Sequence, residues 1–400
     1  MKLKRTVITV VLVVMIVVLS LVSVNLWGGK PEVLEHYDIQ INSGEMTAAQ
    51  IAKANNIPLK PVIKALGIDS SQAKSATLAS INMTPESASV KVRRMMVQYD
   101  ESRTKNWTKI FIKFALWLSL MIIPFLLLLN KKITPRRRRL LIGLGVLIFG
   151  IILGADPSPM GTVKDAVFLI TAHGTVFWPR MVALAIFLLT VVLANKFICS
   201  WGCQFGLLQE FIFRLFRRRQ DKRGFIRQLK PPFWLTNSVR IGVFAFAVLA
   251  GLLWALDVIG LIDPFKIFNP ASIMIASGVF ILFLLVLSPF IYRPWCHFFC
   301  PFGLLSWLFE KLSIFRIKVN YYECDACDAC AVTCPSTVMS AILKKDKTVP
   351  DCFACGTCIE TCPTKAISFT ANRTFQGTYE DSLEIRAKKK LERKSKRHSE

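Results

Sequence analysis

Six stretches of the chain are apolar for long enough to cross a bilayer as helices, which takes roughly 20 residues each. They run near Thr6–Trp27, Ile110–Leu129, Leu140–Ala155, Val176–Ile198, Val239–Ile262 and Ile273–Tyr292. The third is short and the second carries Lys113. Arg180 and Arg240 lie near span ends, where long side chains snorkel to the interface. The first span follows a basic Met1–Arg5 segment, as a signal sequence does. Its apolar run is too long for a signal h-region and lacks a small-x-small cleavage site, so it reads as an uncleaved anchor. Between the first two spans, Met46 to Gly67 reads as two short helices, with Thr47 as an N-cap and Gly67 closing the second. The pattern is similar to a helix-turn-helix, but outside a membrane it would meet no DNA. A small packing or partner-docking module is the expectation.

Charge sharpens this pattern. The 400 residues are 53% hydrophobic, yet 51 Lys and Arg against 26 Asp and Glu leave a net charge of +25. The surplus is local. The N-terminus (Lys2, Lys4, Arg5), the hinge after span two (Lys131, Lys132, Arg136 to Arg139), segment 196–230 and tail 383–400 carry net charges of 3, 6, 7 and 5, which is 21 of the 25. All four lie on one side of a six-span chain, whereas the loops 156–175 and 263–272 hold one Lys each. By the positive-inside rule, both ends are expected in the cytoplasm, in a multi-pass protein of the inner membrane. Nucleic acid, the other common partner of a basic chain, needs a basic folded domain; these runs are short, scattered and tied to membrane ends, so the bilayer is the expected partner. The composition also excludes a disordered, a collagen-like or a small disulfide-knot protein.

The twelve cysteines fall at 199, 203, 296, 300 and from 324 onward, all on the predicted cytoplasmic side. A reducing compartment disfavours disulfides there and favours metal ligation. Cys324-x2-Cys327-x2-Cys330-x3-Cys334-Pro335 and Cys352-x2-Cys355-x2-Cys358-x3-Cys362-Pro363 form the bacterial two-cluster ferredoxin run, in which the fourth Cys of each run ligates the other cluster. One [4Fe-4S] cluster is thus expected on Cys324, Cys327, Cys330 and Cys362, and a second on Cys352, Cys355, Cys358 and Cys334. Zinc sites do not call for this repeated spacing. The other four cysteines form a weaker pair: Cys199-Ser-Trp-Gly-Cys203-Gln-Phe-Gly-Leu-Leu and Cys296-His-Phe-Phe-Cys300-Pro-Phe-Gly-Leu-Leu share C-x3-C-x-F-G-L-L. Each follows a span, and each span follows a loop that opens with Asp-Pro (Asp156, Asp263). Spans three and four therefore look like a duplicate of spans five and six. A pseudo-twofold bundle would bring both turns together at the inner membrane face. An i, i+4 spacing puts two sulfurs on one helical face. Such a site suits a further metal centre or dithiol chemistry, while buried cysteines used only for packing are the bland alternative.

Paired C-x3-C(P) turns after membrane spans, followed by a two-cluster ferredoxin domain, resemble the NapH/NosR/RdxA-type membrane ferredoxins over residues 140–370. Among these the chain is most similar to the NapH type, with an added anchor and outer domain. The resemblance implies electron transfer in the cytoplasmic membrane, from quinol toward extracytoplasmic reductases, with partner subunits. NosR-type members carry covalent flavin on a threonine in an S/D-G-A-T motif. The nearest string here, Ser75-Ala-Thr77-Leu-Ala-Ser80, lacks the glycine, so covalent flavin is not expected. RdxA/FixG-type members, linked to copper handling for oxidase assembly, continue into a further C-terminal domain where this chain has a basic tail. Haem is not expected, because His36, His173, His297 and His398 offer no axial pair on facing helices. His297 and His173 read as site-tuning and quinol-proton candidates or as interfacial residues, and Asp156 and Asp263 chiefly as helix N-caps.

The expected fold is mainly α: a six-helix polytopic membrane protein of duplicated two-helix hairpins, with a C-terminal α+β two-cluster bacterial ferredoxin domain. The units are an anchor (1–27), a small helical outer domain (28–108), a second span with a basic hinge (109–135), the duplicated four-helix membrane domain (136–320), the ferredoxin domain (321–370) and a basic tail (371–400). The expected function is iron–sulfur electron transfer between the quinone pool and a reductase or partner subunit, as a quinol dehydrogenase subunit. The alternative is a regulatory or maturation ferredoxin that reduces copper or assists oxidase or reductase assembly.

Overall fold

The computed structural model of the chain describes residues 2–27, 39–103, 107–154, 156–216, 228–372 and 377–398. The outer region holds helices α2 (Ala48–Ala54), α3 (Leu59–Leu66) and α4 (Pro85–Arg103), after the N-terminal α1 (Lys2–Trp27). Thr47 caps α2 in a reciprocal capping box with Gln50, and Gly67 ends α3 at φ +68°, as the sequence predicts. Ile51, Val62, Leu78, Val92 and Met96 close a small core of their own.

The membrane region follows as α5 (Trp107–Leu129), α6 (Pro135–Gly145), α7 (Pro159–His173) and α8 (Trp178–Ala194). The first cysteine turn comprises α9 (Phe197–Trp201) and α10 (Gln204–Leu215). The second half repeats the plan with α11 (Phe233–Trp254), the short α12 (Val258–Leu261), α13 (Ile275–Leu287), α14 (Pro294–Phe298) and α15 (Pro301–Glu310). Among the described residues, three helices are long and apolar enough to span a membrane: Thr6–Asn25 within α1, then α5 and α11. Helices α8 and α13 are apolar but shorter.

Several sequence expectations change here. The stretch expected as a third span is not one α-helix; α6 passes at Val146 into a π-helical run that ends at Ile152. Close approach explains the need for small residues along it: a Cβ on Gly145 would lie 2.7 Å from Leu207 Cδ1, and one on Gly150 would run into the Phe268 ring. Segment 156–175, expected as a loop, is mostly the helix α7. Ser158 accepts from Gly161 N at 3.1 Å and Pro159 occupies the first turn. The N-cap expected of Asp156 therefore falls to Ser158, and Asp156 instead sits 3.5 Å from Lys113 Nζ. Asp263 does cap, accepting from Phe265 N at 2.9 Å at the head of a 3-10 turn.

Arg180 and Arg240 do not snorkel. Arg180 pairs with Glu101 and Asp165, which ties α8 to α4 and α7. Arg240 is fully buried and pairs with Asp351 at 2.9 Å. A charge in an apolar slab is costly unless matched, and both arginines are matched inside the protein.

After α15 the chain builds a two-stranded antiparallel sheet, β1 (Arg316–Val319) with β2 (Ile367–Thr370), in which Ile317 faces Phe369 and Val319 faces Ile367. Between the strands lie α16 (Ala329–Thr333), α17 (Val338–Lys344) and α18 (Thr357–Thr361), and the chain leaves through α19 (Tyr379–His398). Phe125 of α5 packs edge-on against Phe315 and Phe369, which seats this small α+β unit on the helices.

Candidate iron–sulfur site

Both cysteine runs of the α+β unit have the same local build. In each, the residue before the second Cys and the residue after it adopt positive φ: Ala326 (46°) and Asp328 (54°) in one, Ala354 (47°) and Gly356 (73°) in the other. Left-handed residues cost a non-glycine chain about 1–2 kcal/mol each. Here they turn successive N–H groups inward, a concave arrangement suited to anions and iron–sulfur groups. Ala326 N, for example, donates to Cys324 Sγ at 3.4 Å. A five-residue helix follows, and the fourth Cys ends it: Cys334 N donates to Cys330 O at 3.0 Å and Cys362 N to Cys358 O at 3.2 Å. There the backbone turns extended, which sends the fourth thiol away from its own loop.

The result is two cavities, each ringed by four thiols. Cys324, Cys327, Cys330 and Cys362 line one, with Val319, Leu343 and Tyr379. Cys334, Cys352, Cys355 and Cys358 line the other, with Ile317, Met339 and Tyr292. These are the two sets the spacing predicts. In the first, which we call the outer cradle, Cys327 is exposed; in the inner cradle Cys334, Cys352 and Cys358 are buried. Among the described residues, no three Cys, His or carboxylate side chains close around a single metal ion. Thiols that ring a cavity suit a polynuclear cluster, whose ligands attach at separate corners. Burial pushes the Cys330 thiol up to about 12 and raises Cys334, Cys352 and Cys358 as well. Thiolates at these positions need the positive charge of iron. All twelve cysteines are free.

The two C-x3-C turns meet, as the duplication predicts. Cys199, Cys203, Cys296 and Cys300 are buried within electrostatic reach of one another. They are locked by an exchange of cations. Lys196 stands three residues before Cys199, as Arg293 does before Cys296. Lys196 Nζ donates to Gly303 O of the second turn at 2.9 Å, while Arg293 donates to Cys199 O and, at 3.0 Å, to Ser200 O of the first. Gly206 and Gly303, the glycines of the shared F-G-L-L, make room for this. A Cβ on Gly206 would lie 3.1 Å from Cys199 O, and one on Gly303 2.9 Å from Cys296 O. Trp117 Nε1 donates to Gly202 O at 3.0 Å, eleven residues up α5 from Leu128, which touches Gly356. At helical rise that is about 16 Å along the axis.

The inner cradle abuts these turns. Asp351, beside Cys352, pairs with Lys196 at the head of one turn and with Arg240 of α11, which also donates to Cys296 O of the other turn at 3.3 Å. Opposite charges hold the Asp351 carboxyl down at about 2 despite its burial. Trp201 Nε1 donates to Ala354 O at 3.2 Å, and Arg293 lies 5.5 Å over the Phe353 ring. Glu210 balances Arg293 and Arg214, and accepts from Tyr292 Oη at 2.7 Å. Sequence reasoning missed Lys196, Glu210, Arg293 and Asp351. Their one visible signal was position: two cations at matching offsets before matching cysteines.

The histidines divide. His297 is buried rather than interfacial, 5.2 Å from the Phe353 ring, and desolvation lowers it to about 4. His173 ends α7 edge-on to Phe168, far in sequence from any cysteine. His36 lies outside the described residues. Ser75, Thr77 and Ser80 sit on a turn after α3, where Ser80 Oγ donates to Thr77 O at 2.7 Å and Thr77 bridges to Thr47.

Comparison with known proteins agrees with this chemistry. A family model described as a 4Fe-4S binding domain matches twice, over residues 175–223 and 273–320, each match enclosing one C-x3-C turn. A protein described as a candidate electron transport protein, YccM of Escherichia coli (strain K12), is 31% identical over 181 residues, covering 42% of this chain and 49% of its own length. Two uncharacterised proteins of Methanocaldococcus jannaschii are 24% identical over 166 residues and 27% over 149, covering 38% and 36% of this chain and 63% and 54% of their own lengths. The chain thus spans between about half and under two thirds of the curated relatives it matches. No solved structure matches it. The repeated domain match and the YccM likeness together support a ferredoxin-like iron–sulfur family for this chain.

Proposed function

We propose that the chain is a membrane iron–sulfur electron-transfer protein that passes electrons between the quinone pool and a reductase or partner subunit. The outer cradle carries one [4Fe-4S] cluster and the inner cradle a second, with the ferredoxin domain and both chain ends in the cytoplasm. The four C-x3-C thiols form a third centre inside the helices. One observation carries this reading: the loop Asp351–Cys355 of the inner cradle is clamped to both C-x3-C turns, so a continuous line of redox-capable thiols runs from solvent into the helical region. The matched 4Fe-4S domain and the electron-transport description of YccM support it. In function, the bound clusters supply one-electron transfer. The chain's own residues hold the thiols, exclude water from the inner cradle and fix the cradle against the turns.

The test is direct. Protein purified without oxygen and mixed with a menaquinol analogue should develop the EPR signal of reduced [4Fe-4S] clusters. If the spectrum does not change while dithionite reduces the same sample, quinol is not its donor. Four free, buried thiols in two matched turns favour one second reading, reduction of copper(II) by the C-x3-C pair. Copper(I) formation that survives Cys199→Ser and Cys296→Ser rules that reading out.

A further inference from the structure

The two cradles share their cysteine spacing and their backbone turns, so their side chains can be compared position by position. Two positions after Cys327 is Ala329; two positions after Cys355 is Thr357. The Thr357 hydroxyl is the hub of a network with no counterpart among the described residues of the outer cradle. Arg138 Nη1 and Arg214 Nη2 each donate to Thr357 Oγ1 at 3.1 Å, and Cys355 Sγ lies 3.2 Å from the same oxygen. A hydroxyl has two acceptor lone pairs and one proton, and guanidinium groups only donate. With both lone pairs engaged by arginine, the Thr357 proton is left for Cys355 Sγ. The hydrogen bond to that thiolate is thus set in direction by two cations.

Charge around the network points the same way. Arg138 is 2% exposed, and its Nε and Nη2 have no acceptor among the described protein atoms. Its Nη2 stands 3.5 Å from where a Cβ on Gly356 would be, against the wall of the inner cradle. Glu360 offsets Arg138 at 3.3 Å but is itself a quarter exposed, while Glu210 is shared between Arg214 and Arg293. The buried Arg138 and Arg293 and the part-buried Arg214 therefore face two carboxylates, Glu210 and Glu360. Paired hydroxyls near the fourth cysteines do not break the symmetry, because each cradle has one: Ser336 beside Cys334 and Thr364 beside Cys362.

Net charge and hydrogen bonds to sulfur set the reduction potential of such a cluster. A hydroxyl proton and a surplus positive charge both stabilise the electron-rich, reduced form. Burial alone would work against reduction by disfavouring added negative charge, but it also strengthens the pull of the nearby cations. We infer that Thr357, Arg138 and Arg214 form a potential-tuning site that makes the inner cluster the more oxidising of the two. An electron on the chain then rests by preference at the inner cradle, beside the helices, whichever end supplies it. The inference rests on the two-cluster reading above and adds where the electron is held.

EPR-monitored redox titration of the full chain in detergent tests it. Thr357→Val keeps the shape and removes the hydroxyl. It should lower the more positive of the two midpoints and leave the other unmoved, shifting the electron equilibrium between the clusters roughly tenfold toward the outer one, about 59 mV for a one-electron couple. Thr357→Ser should restore the parent value, and Arg214→Gln should shift the same midpoint in the same direction. A Thr357→Val shift confined to the more negative midpoint, shared equally by both, or absent overturns the inference. Iron and sulfide analysis separates the two levels of the reading. A parent chain with clearly fewer than about eight of each fails the two-cluster proposal itself, whereas full loading with unmoved midpoints fails only the tuning site.

Discussion

Asp351→Asn probes the junction between the α+β unit and the cysteine turns. The parent carboxylate is 1% exposed and bridges Lys196 and Arg240, which in turn hold the Gly303 and Cys296 carbonyls at 2.9 and 3.3 Å. The amide keeps the volume but removes the only charge the two cations share. Breaking a buried pair by deleting one partner typically costs about 3–5 kcal/mol. Glu310 lies 3.8 Å from Lys196 and keeps part of the balance, so the lower end applies, about 3 kcal/mol. At 1.4 kcal/mol per decade this makes local opening of the junction on the order of 100-fold more frequent. Hydrogen exchange followed by mass spectrometry reads it in the peptides covering 350–358 and 196–206, with the outer region, whose core is separate, as the internal control. Because Asp351 and Arg240 are in contact, Asp351→Asn combined with Arg240→Gln should cost clearly less than the two single changes added. Unchanged exchange at the junction, or strictly additive costs, would refute the claim that this ion cluster docks the inner cradle.

Three further outcomes are expected. Cys199→Ser and Cys296→Ser should each lower the iron and sulfide content by the same increment, if the turns hold a third centre, while leaving about eight of each on the ferredoxin cysteines; content that never exceeds eight in the parent chain assigns the turns to dithiol or packing roles. Gly303→Ala should destabilise the protein by about 1–3 kcal/mol, since its Cβ would meet a backbone carbonyl that cannot swing aside, and a thermal melt in detergent equal to the parent's contradicts the close packing at Cys296 O. Trp117→Phe keeps the ring and removes its donor to Gly202 O, a loss of about 1 kcal/mol that leaves one buried carbonyl less satisfied; exchange at the 199–203 turn should rise modestly and iron content should not change.

What could be read from the chain beforehand follows physical range. Cysteine spacing is local, so the two sets of four thiols that line the two cavities were legible before any coordinates. The same holds for Thr47 and Gly67, whose capping acts within one turn of helix. Apolar runs located the helices but overstated their regularity: composition does not reveal that α6 passes into a π-helical run, nor that Gly145 and Gly150 lie against Leu207 and Phe268. Amphipathic α7 lay hidden as a loop because the residues it buries, such as Val163 and Leu169, need partners from distant helices before their spacing means anything.

Buried charge is where sequence alone misleads. Arg240 and Arg180 look like interfacial residues because an unpaired arginine in an apolar stretch has nowhere else to go. Only the folded chain supplies Asp351, more than a hundred residues away, and Glu101 and Asp165 from other elements. The sequence by itself determined which thiols can hold iron and that the C-x3-C segment is duplicated, since both are written in short-range spacing. The tertiary structure decided that the duplicated turns interlock through Lys196 and Arg293, that Asp351 joins them to the inner cradle, and that Thr357 rather than Ala329 faces two arginines. Those are long-range pairings of charge, and charge finds its partner only when the chain has closed around it.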